Sequence, residues 1–265
     1  MKYFKIFAMQ CKLATMSVAI YRANFIIGII GRIFGSVTGI ICIGFIYGSV
    51  ESIAGWNKQE MIILVCTANI VVSGIYNLFI RHTQDKLVEG ISNGNFDRII
   101  LKPLNLMFQL NIGRPVNIMS NFISFCVQVG IICVQINQLG VQIGLIQILL
   151  YILFIVNGVI ILSAFQLLLY SLAFVFIKVG ELNNIYYTLA DIVPKPRELF
   201  SNKYVANIFI FVLPAIPIAN APAAVLLQKC TVFDMICWLG ATVIISLLAV
   251  TAIKSGMRRY NSASS

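Results

Sequence analysis

An all-α polytopic membrane bundle with six transmembrane helices is the fold class this sequence predicts, and three observations predict it. The 265-residue chain is 60% hydrophobic and only 11% charged, where a soluble domain carries roughly a quarter charged residues. Its mean hydropathy is +0.94. Its apolar runs reach the roughly 20 residues a helix needs to cross hydrocarbon, and they lack the strand alternation of a membrane β-barrel.

Charge and cysteine usage narrow the class. The net charge is +10, but the cations stand at the ends of apolar runs, where they fix orientation and meet anionic head groups. No basic patch with interleaved aromatics is present, so membrane lipid is the expected partner and nucleic acid is not. The seven cysteines fall mostly inside apolar runs without CxxC spacing, and His82 is the lone histidine, so no metal site is expected.

In chain order, residues 1–24 read as an amphipathic elbow helix in the interface plane. Phe4, Phe7, Cys11, Ala14 and Val18 recur at three or four, with Lys2, Lys5 and Lys12 opposite. These lysines, with Arg22 and the lack of a small-residue cleavage site, argue against a cleavable signal. The first span covers residues 25–50. Its Gly31, Gly35 and Gly39 stand four apart, a helix-packing face that lets a second backbone approach, from this chain or from another subunit. Arg32 in the same run has two readings: it snorkels to the head groups, or it is a buried functional charge. An outer loop, 51–60, places Trp56 in the interfacial aromatic belt, and the second span follows over 61–80.

Residues 81–115 form a polar island between long apolar runs. It contains Arg81, Lys86, Arg98, Lys102 and Arg114 together with Asp85, Glu89 and Asp97. A helix is predicted over about 84–91, broken at Gly94, with Lys102-Pro103 leading back to the membrane. The third span, 116–139, carries a polar stripe: Asn117, Asn121, Ser124, Gln128 and Gln135 share one face. Amides are costly in hydrocarbon unless paired, so the stripe either bonds neighbouring helices or lines a translocation path.

The apolar run 144–177 is read as one tilted span that continues beyond the membrane. The second polar region, 178–203, then lies inside. Pro214, Pro217 and Pro222 end a fifth span near Pro217 and leave an outer re-entrant hairpin over 214–232. The sixth span covers 235–253 and ends at Lys254, Arg258 and Arg259. This layout leaves only Lys58 and Lys229 outside, in agreement with the positive-inside rule, and puts both termini in the cytoplasm.

No phosphate loop, acid pair or nucleophile motif occurs, so no catalytic residue is expected in this chain. Acids are nearly absent from span interiors, which disfavours an ion-coupled carrier. The residues alone leave transporter subunit, scaffold and channel open.

Several stretches carry a resemblance. These are Tyr21-Arg22-Ala23-Asn24-Phe25, Gly55-Trp56, and Ile91 to Asp97 followed by Ile100-Leu101-Lys102-Pro103-Leu104. Val212-Leu213-Pro214, Ala221-Pro222-Ala223 and the tail from Arg258 to Ser265 complete the set. Over essentially its whole length the chain resembles a permease subunit of the ABC-2 class of ATP-binding-cassette transporters, in a bacterial six-span branch of exporter type. The resemblance implies a single transmembrane domain with an elbow helix, six spans and a re-entrant segment before the last. It implies that 81–115 is a cytoplasmic coupling loop docking on an ATPase subunit through Asp85, Leu87, Val88, Glu89, Gly90, Ile91, Gly94, Asp97, Lys102 and Pro103, the apolar members filling a groove. The implied assembly is a dimer with an identical or homologous second permease, over two cytoplasmic ABC ATPase subunits, in the bacterial inner membrane. ATP and magnesium would be bound by those ATPases, with no cofactor in this chain. A membrane scaffold or sensor subunit, or a secondary carrier or channel, are the competing classes.

Overall fold

The computed structural model describes residues 2–20, 22–93, 96–113, 115, 117–174, 182–200 and 202–259. Gly94, Arg114, Lys178 and the tail 260–265, all used in the sequence reading, lie outside the described residues. Twelve α-helices are described, in the order α1 (Lys2–Ile20), α2 (Arg22–Ile46), α3 (Lys58–Ala68), α4 (His82–Ser92), α5 (Asp97–Ile100) and α6 (Leu106–Asn111). Then follow α7 (Ile118–Leu139), α8 (Leu145–Tyr170), α9 (Leu182–Ile192), α10 (Lys203–Phe211), α11 (Ala215–Leu226) and α12 (Val232–Arg259). Asn69–Arg81, between α3 and α4, is wound as a π-helix, so α3, this segment and α4 make one unbroken rod. No strand occurs among the described residues, and the chain is an all-α polytopic bundle.

Five helical stretches are long and apolar enough to cross a membrane: 25–46, 58–91, 118–139, 145–174 and 232–258. Local signals set their ends. Asn57 N–H donates to Glu60 Oε2 (2.8 Å) at the start of α3, half of a capping box. Asn117, in the left-handed region at φ 53°, opens α7, and Gly140, at φ 65°, closes it. The run 145–174 is one helix ending in a 3-10 turn, Ser171–Phe174, so it crosses once. Gly158 in its middle is a packing notch. A Cβ there would collide with the carbonyl of Ile218 on α11. Pro222, four residues on, has no N–H to offer that carbonyl, so α8 can approach it closely.

One end of the bundle is pinned by Trp56, which is buried and so does not sit in an interfacial belt. Its indole donates to Glu198 Oε2 (2.7 Å), and its carbonyl accepts from Tyr47 Oη (2.8 Å). Lys229 Nζ stands 5.0 Å over its ring while bonding Glu60 Oε2 (2.6 Å) and Gly55 O (2.9 Å). Arg197 pairs with Asp234 at 2.7 Å. Between α11 and α12, burial and the nearby Asp234 carboxylate push the Cys230 thiol up to about 11, so it stays protonated at neutral pH.

These contacts correct the expected fifth span. α10 and α11 meet at a 98° bend. Glu198, before α10, and Lys229, after α11, both touch the Trp56 turn, so the pair leaves and re-enters at the same end. The re-entrant hairpin therefore spans 203–226 rather than 214–232, and no span ends near Pro217. The chain instead changes ends through α9, which is not among the five long apolar stretches. Its Tyr186 hydroxyl donates to Asn77 Oδ1 (2.8 Å) and lies beside Arg81 at the opposite end, while Glu198 reaches Trp56. Lys195, Arg197 and the start of α10 at Lys203 consequently stand at the Trp56 end, not with the island as the charge pattern suggested.

Eleven residues of α9 rise only about 16 Å, so the crossing is completed by non-helical chain at Val193–Pro196. The Val193 and Lys195 N–H groups donate to the carbonyls of Leu189 and Ile192, both at 3.0 Å, and three further backbone groups are met by one side chain. Asn220 of α11, buried, donates through Nδ2 to the carbonyls of Val193 (3.3 Å) and Lys195 (2.9 Å) and accepts from the Arg197 N–H (2.9 Å). Each such group left unpaired costs about 1–3 kcal/mol.

Two outcomes follow. In sealed vesicles, a membrane-impermeant thiol reagent is expected to label Lys195→Cys from the same face as Lys58→Cys and from the face opposite Lys102→Cys. Co-labelling of 195 with 102 would refute the re-entrant assignment. Asn220→Leu, which strands three backbone groups, is expected to destabilise the bundle by about 3 kcal/mol or more, read as a lowered melting temperature in detergent.

Candidate functional site

Two places in the bundle concentrate polar side chains. The first is the end opposite Trp56, where α4, α5 and α6 form the polar loop. α4 continues directly from the π-helical segment and presents two different faces. Leu87 is fully buried, Gly90 packs on the backbone of Phe96, and Val88 and Ile91 are half-buried. Phe96 N–H donates to Gly90 O (2.9 Å), and its buried ring meets Phe174 edge-on at 5.4 Å. The apolar residues of α4 thus anchor the loop to the bundle. The expectation that Leu87, Val88 and Ile91 are offered to a partner's groove does not fit this packing. What the loop exposes is Glu89, Ile100, Leu101, Lys102 and Pro103, with Leu101 81% exposed and Asp97 half-buried at the start of α5.

The base of α4 is tied to four other elements, the π-helical segment, α6, α8 and α9. The Arg81 guanidinium lies 4.0 Å over the Tyr186 ring and 4.8 Å over the Tyr187 ring and donates to Tyr187 Oη (2.9 Å). Asp85 pairs with Arg81 at 3.7 Å and accepts from Tyr170 Oη of α8 at 2.6 Å. One turn away, Gln84 is completely buried: its Oε1 accepts from Tyr76 Oη (2.9 Å), and its Nε2 donates to Ser163 Oγ (2.9 Å) and Asn111 Oδ1 (3.3 Å). The Ser163 hydroxyl in turn donates to Asn111 Oδ1. Displacing α4 therefore displaces the π-helical segment, α6, α8 and α9 together.

Among the residues of this node, only Arg81 and Asp85 stand out in the sequence, as charges of the polar island. Gln84, Asn111, Ser163, Tyr170 and Tyr186 come from separated segments and share no periodicity. A signal was available in Gln84, a neutral amide beside two charged residues on a face that otherwise carries Leu87 and Ile91.

The second place is a cavity of about 180 Å³ between α2, the π-helical segment and α7, lined by Arg32, Ser36, Asn69, Ser73, Ser124 and Gln128. Gln128 is buried and donates through Nε2 to Ser36 Oγ (2.7 Å), whose hydroxyl donates to Arg32 O (2.9 Å). The structure splits the span-three stripe. Ser124 and Gln128 face this cavity, whereas buried Asn121 lines a neighbouring apolar groove with Gly74, Phe79, Phe122 and Phe125. Asn117 is exposed at the N-terminus of α7, and Gln135 is half-buried near its far end, so neither reaches the cavity. The remaining residues of interest are placed differently again. Pro214, Pro217 and Pro222 are buried at the bend and within α11. At Gly31, Gly35 and Gly39 an added Cβ would meet nothing within 4 Å, so among the described residues no backbone packs on that face.

The bundle thus has a tethered polar loop at one end, a re-entrant hairpin at the other and a polar cavity between them. No curated protein and no solved structure matches the chain. The family model described as ABC-2 family transporter protein matches residues 33–264. On that match the chain belongs to the ABC-2 transporters, and it is a multi-pass membrane subunit of that family.

Proposed function

We propose that this chain is the membrane-spanning permease of a bacterial ATP-driven exporter, working as a dimer with an identical or homologous permease over two cytoplasmic ATPase subunits. ATP and magnesium would be held by the ATPases, leaving this chain without a catalytic residue of its own. The observation that carries the reading is the linkage of one exposed loop to the π-helical segment, α8 and α9 through Arg81, Gln84 and Asp85. In this reading the loop is the coupling device, docking on the ATPase through Leu101, Lys102 and Pro103 at its tip, with Glu89 and Asp97 supplying charge. Closure of the ATPase pair pushes α4, and the shared polar contacts convert that push into a rearrangement of the bundle.

Orientation in the inner membrane follows from charge. Even with Lys195, Arg197 and Lys203 moved to the Trp56 end, most cations remain at the loop end, including Arg81, Lys86, Lys102, Lys254 and Arg258, so that end and both termini are cytoplasmic. The cavity beside Gln128 is then a midway station for cargo. In this reading the outer exit is the hairpin, whose buried prolines make it a bendable, hydrogen-bond-poor segment.

The test is purification of the tagged full-length permease from its native membrane, followed by assay of magnesium-dependent ATP hydrolysis in the eluate. Wild type is expected to bring down ATPase activity, and Leu101→Asp, Glu89→Arg and Asp97→Arg are each expected to reduce it about tenfold or more with unchanged permease yield. Permease-mediated flux in liposomes lacking any ATPase would instead favour a carrier or channel. Retention of full ATPase activity by all three variants would remove the loop from the coupling role.

A further inference from the structure

The cavity between α2 and α7 holds two unanswered groups of complementary kind. Arg32, half-buried in the middle of an apolar helix, takes part in none of the ion pairs among the described residues, and no carboxylate lines the cavity. Gln128 is 2% exposed and donates its N–H to Ser36, while its Oε1 has no hydrogen-bond partner among the described residues. A cation in hydrocarbon calls for an anion, and a buried amide oxygen calls for an N–H or O–H donor. Asn69, Ser73 and Ser124 add neutral polar atoms around the same space. At about 180 Å³ the cavity is smaller than the roughly 300–1,000 Å³ of sites that swallow a drug-sized molecule, so it suits a head group. Gly31 and Gly35 form one wall, both exposed and with nothing standing where a side chain would be, so the cavity opens past them onto the bare apolar surface of α2, where Ile27 and Phe34 are exposed.

We propose that this cavity binds the anionic head of an amphiphilic cargo, Arg32 taking the charge and Gln128 Oε1 taking an N–H or O–H donor next to it, with the apolar tail leaving past Gly31 and Gly35. The proposal rests on the reading of the chain as an export permease and adds the chemical class of what is exported. A carboxylate with an adjacent amide N–H, as at the end of an acylated amino acid or an apolar peptide, satisfies both groups at once. A neutral compound can satisfy Gln128 Oε1 at most, and leaves Arg32 without an anion.

The test uses the full chain in phosphatidylcholine nanodiscs and equilibrium binding of three probes: N-lauroylglycine, its methyl ester, and tetradecanoate. The first has both charge and N–H, the second lacks the charge, and the third lacks the N–H. Wild type is expected to hold N-lauroylglycine about tenfold or more tightly than either of the others. Arg32→Gln should bring it down to the level of the ester, Arg32→Lys should restore part of the difference, and Gln128→Leu should bring it down to the level of tetradecanoate. The Arg32→Lys arm separates loss of charge from loss of fold. Equal binding of the three probes by wild type overturns the proposal, as does undiminished N-lauroylglycine binding by Arg32→Gln. Abolition of the preference when phosphatidylglycerol replaces part of the phosphatidylcholine also overturns it, because the resident anion is then a lipid head group. These measurements need no ATPase, so failure of ATPase association would sink the exporter reading while leaving the binding result standing.

Discussion

Non-helical backbone can sit at membrane depth only where protein answers its polar groups, and after α9 the Asn220 amide answers three that the local turn bonds leave over. The three hydrogen bonds of Asn220 to Val193, Lys195 and Arg197 allow α9 to stop short and the chain still to reach the Trp56 end. The rest of that end depends on the result. With the crossing complete, Glu198 meets the Trp56 indole, Arg197 meets Asp234, and α10 begins where it can turn back into the bundle. Without the Asn220 contacts, α9 and the re-entrant hairpin would have no common boundary.

The opposite end is organised by different chemistry. There the polar groups are side chains, and they gather on α4 because the rod from Lys58 to Ser92 emerges from the bundle without a break. Arg81 is held between two tyrosine rings and Asp85, so its charge is matched by ring faces and a carboxylate rather than by water alone. Gln84 links tyrosine, serine and asparagine in the interior, where each member's loss would leave others unpaired. Such a network has few intermediate arrangements, which suits a part that has to move as a unit.

The sequence made the long spans legible because each buries or exposes a continuous apolar surface of the right length, and it made the polar island legible because nothing else in the chain is so charged. The inward position of Ser124 and Gln128 was readable from helical spacing. What could not be read depended on distant partners. α9 is too short and too rich in amides to register as a crossing, and its completion depends on Asn220, 27 residues beyond Val193. The proline-dense run resembled a span with a broken end because composition does not say whether a bent helix continues or returns. That answer came from Glu198 and Lys229 meeting the same tryptophan. The glycine spacing marks a smooth face, but smoothness does not specify an occupant.

The π-helical winding of Asn69–Arg81 has a consequence for how this rod tolerates change in length. Each of its turns holds more residues than an α-turn requires, because its bonds run from i to i+5. Losing one residue from an ordinary helix rotates everything beyond the cut by about 100°, which in α8 would carry Ser163 and Tyr170 away from Gln84 and Asp85. Within Asn69–Arg81 the same loss can be absorbed by rewinding a turn to α geometry, leaving Glu60 at one end and Gln84 at the other facing their present neighbours. The segment beside the cavity is the part of the rod with residues to spare.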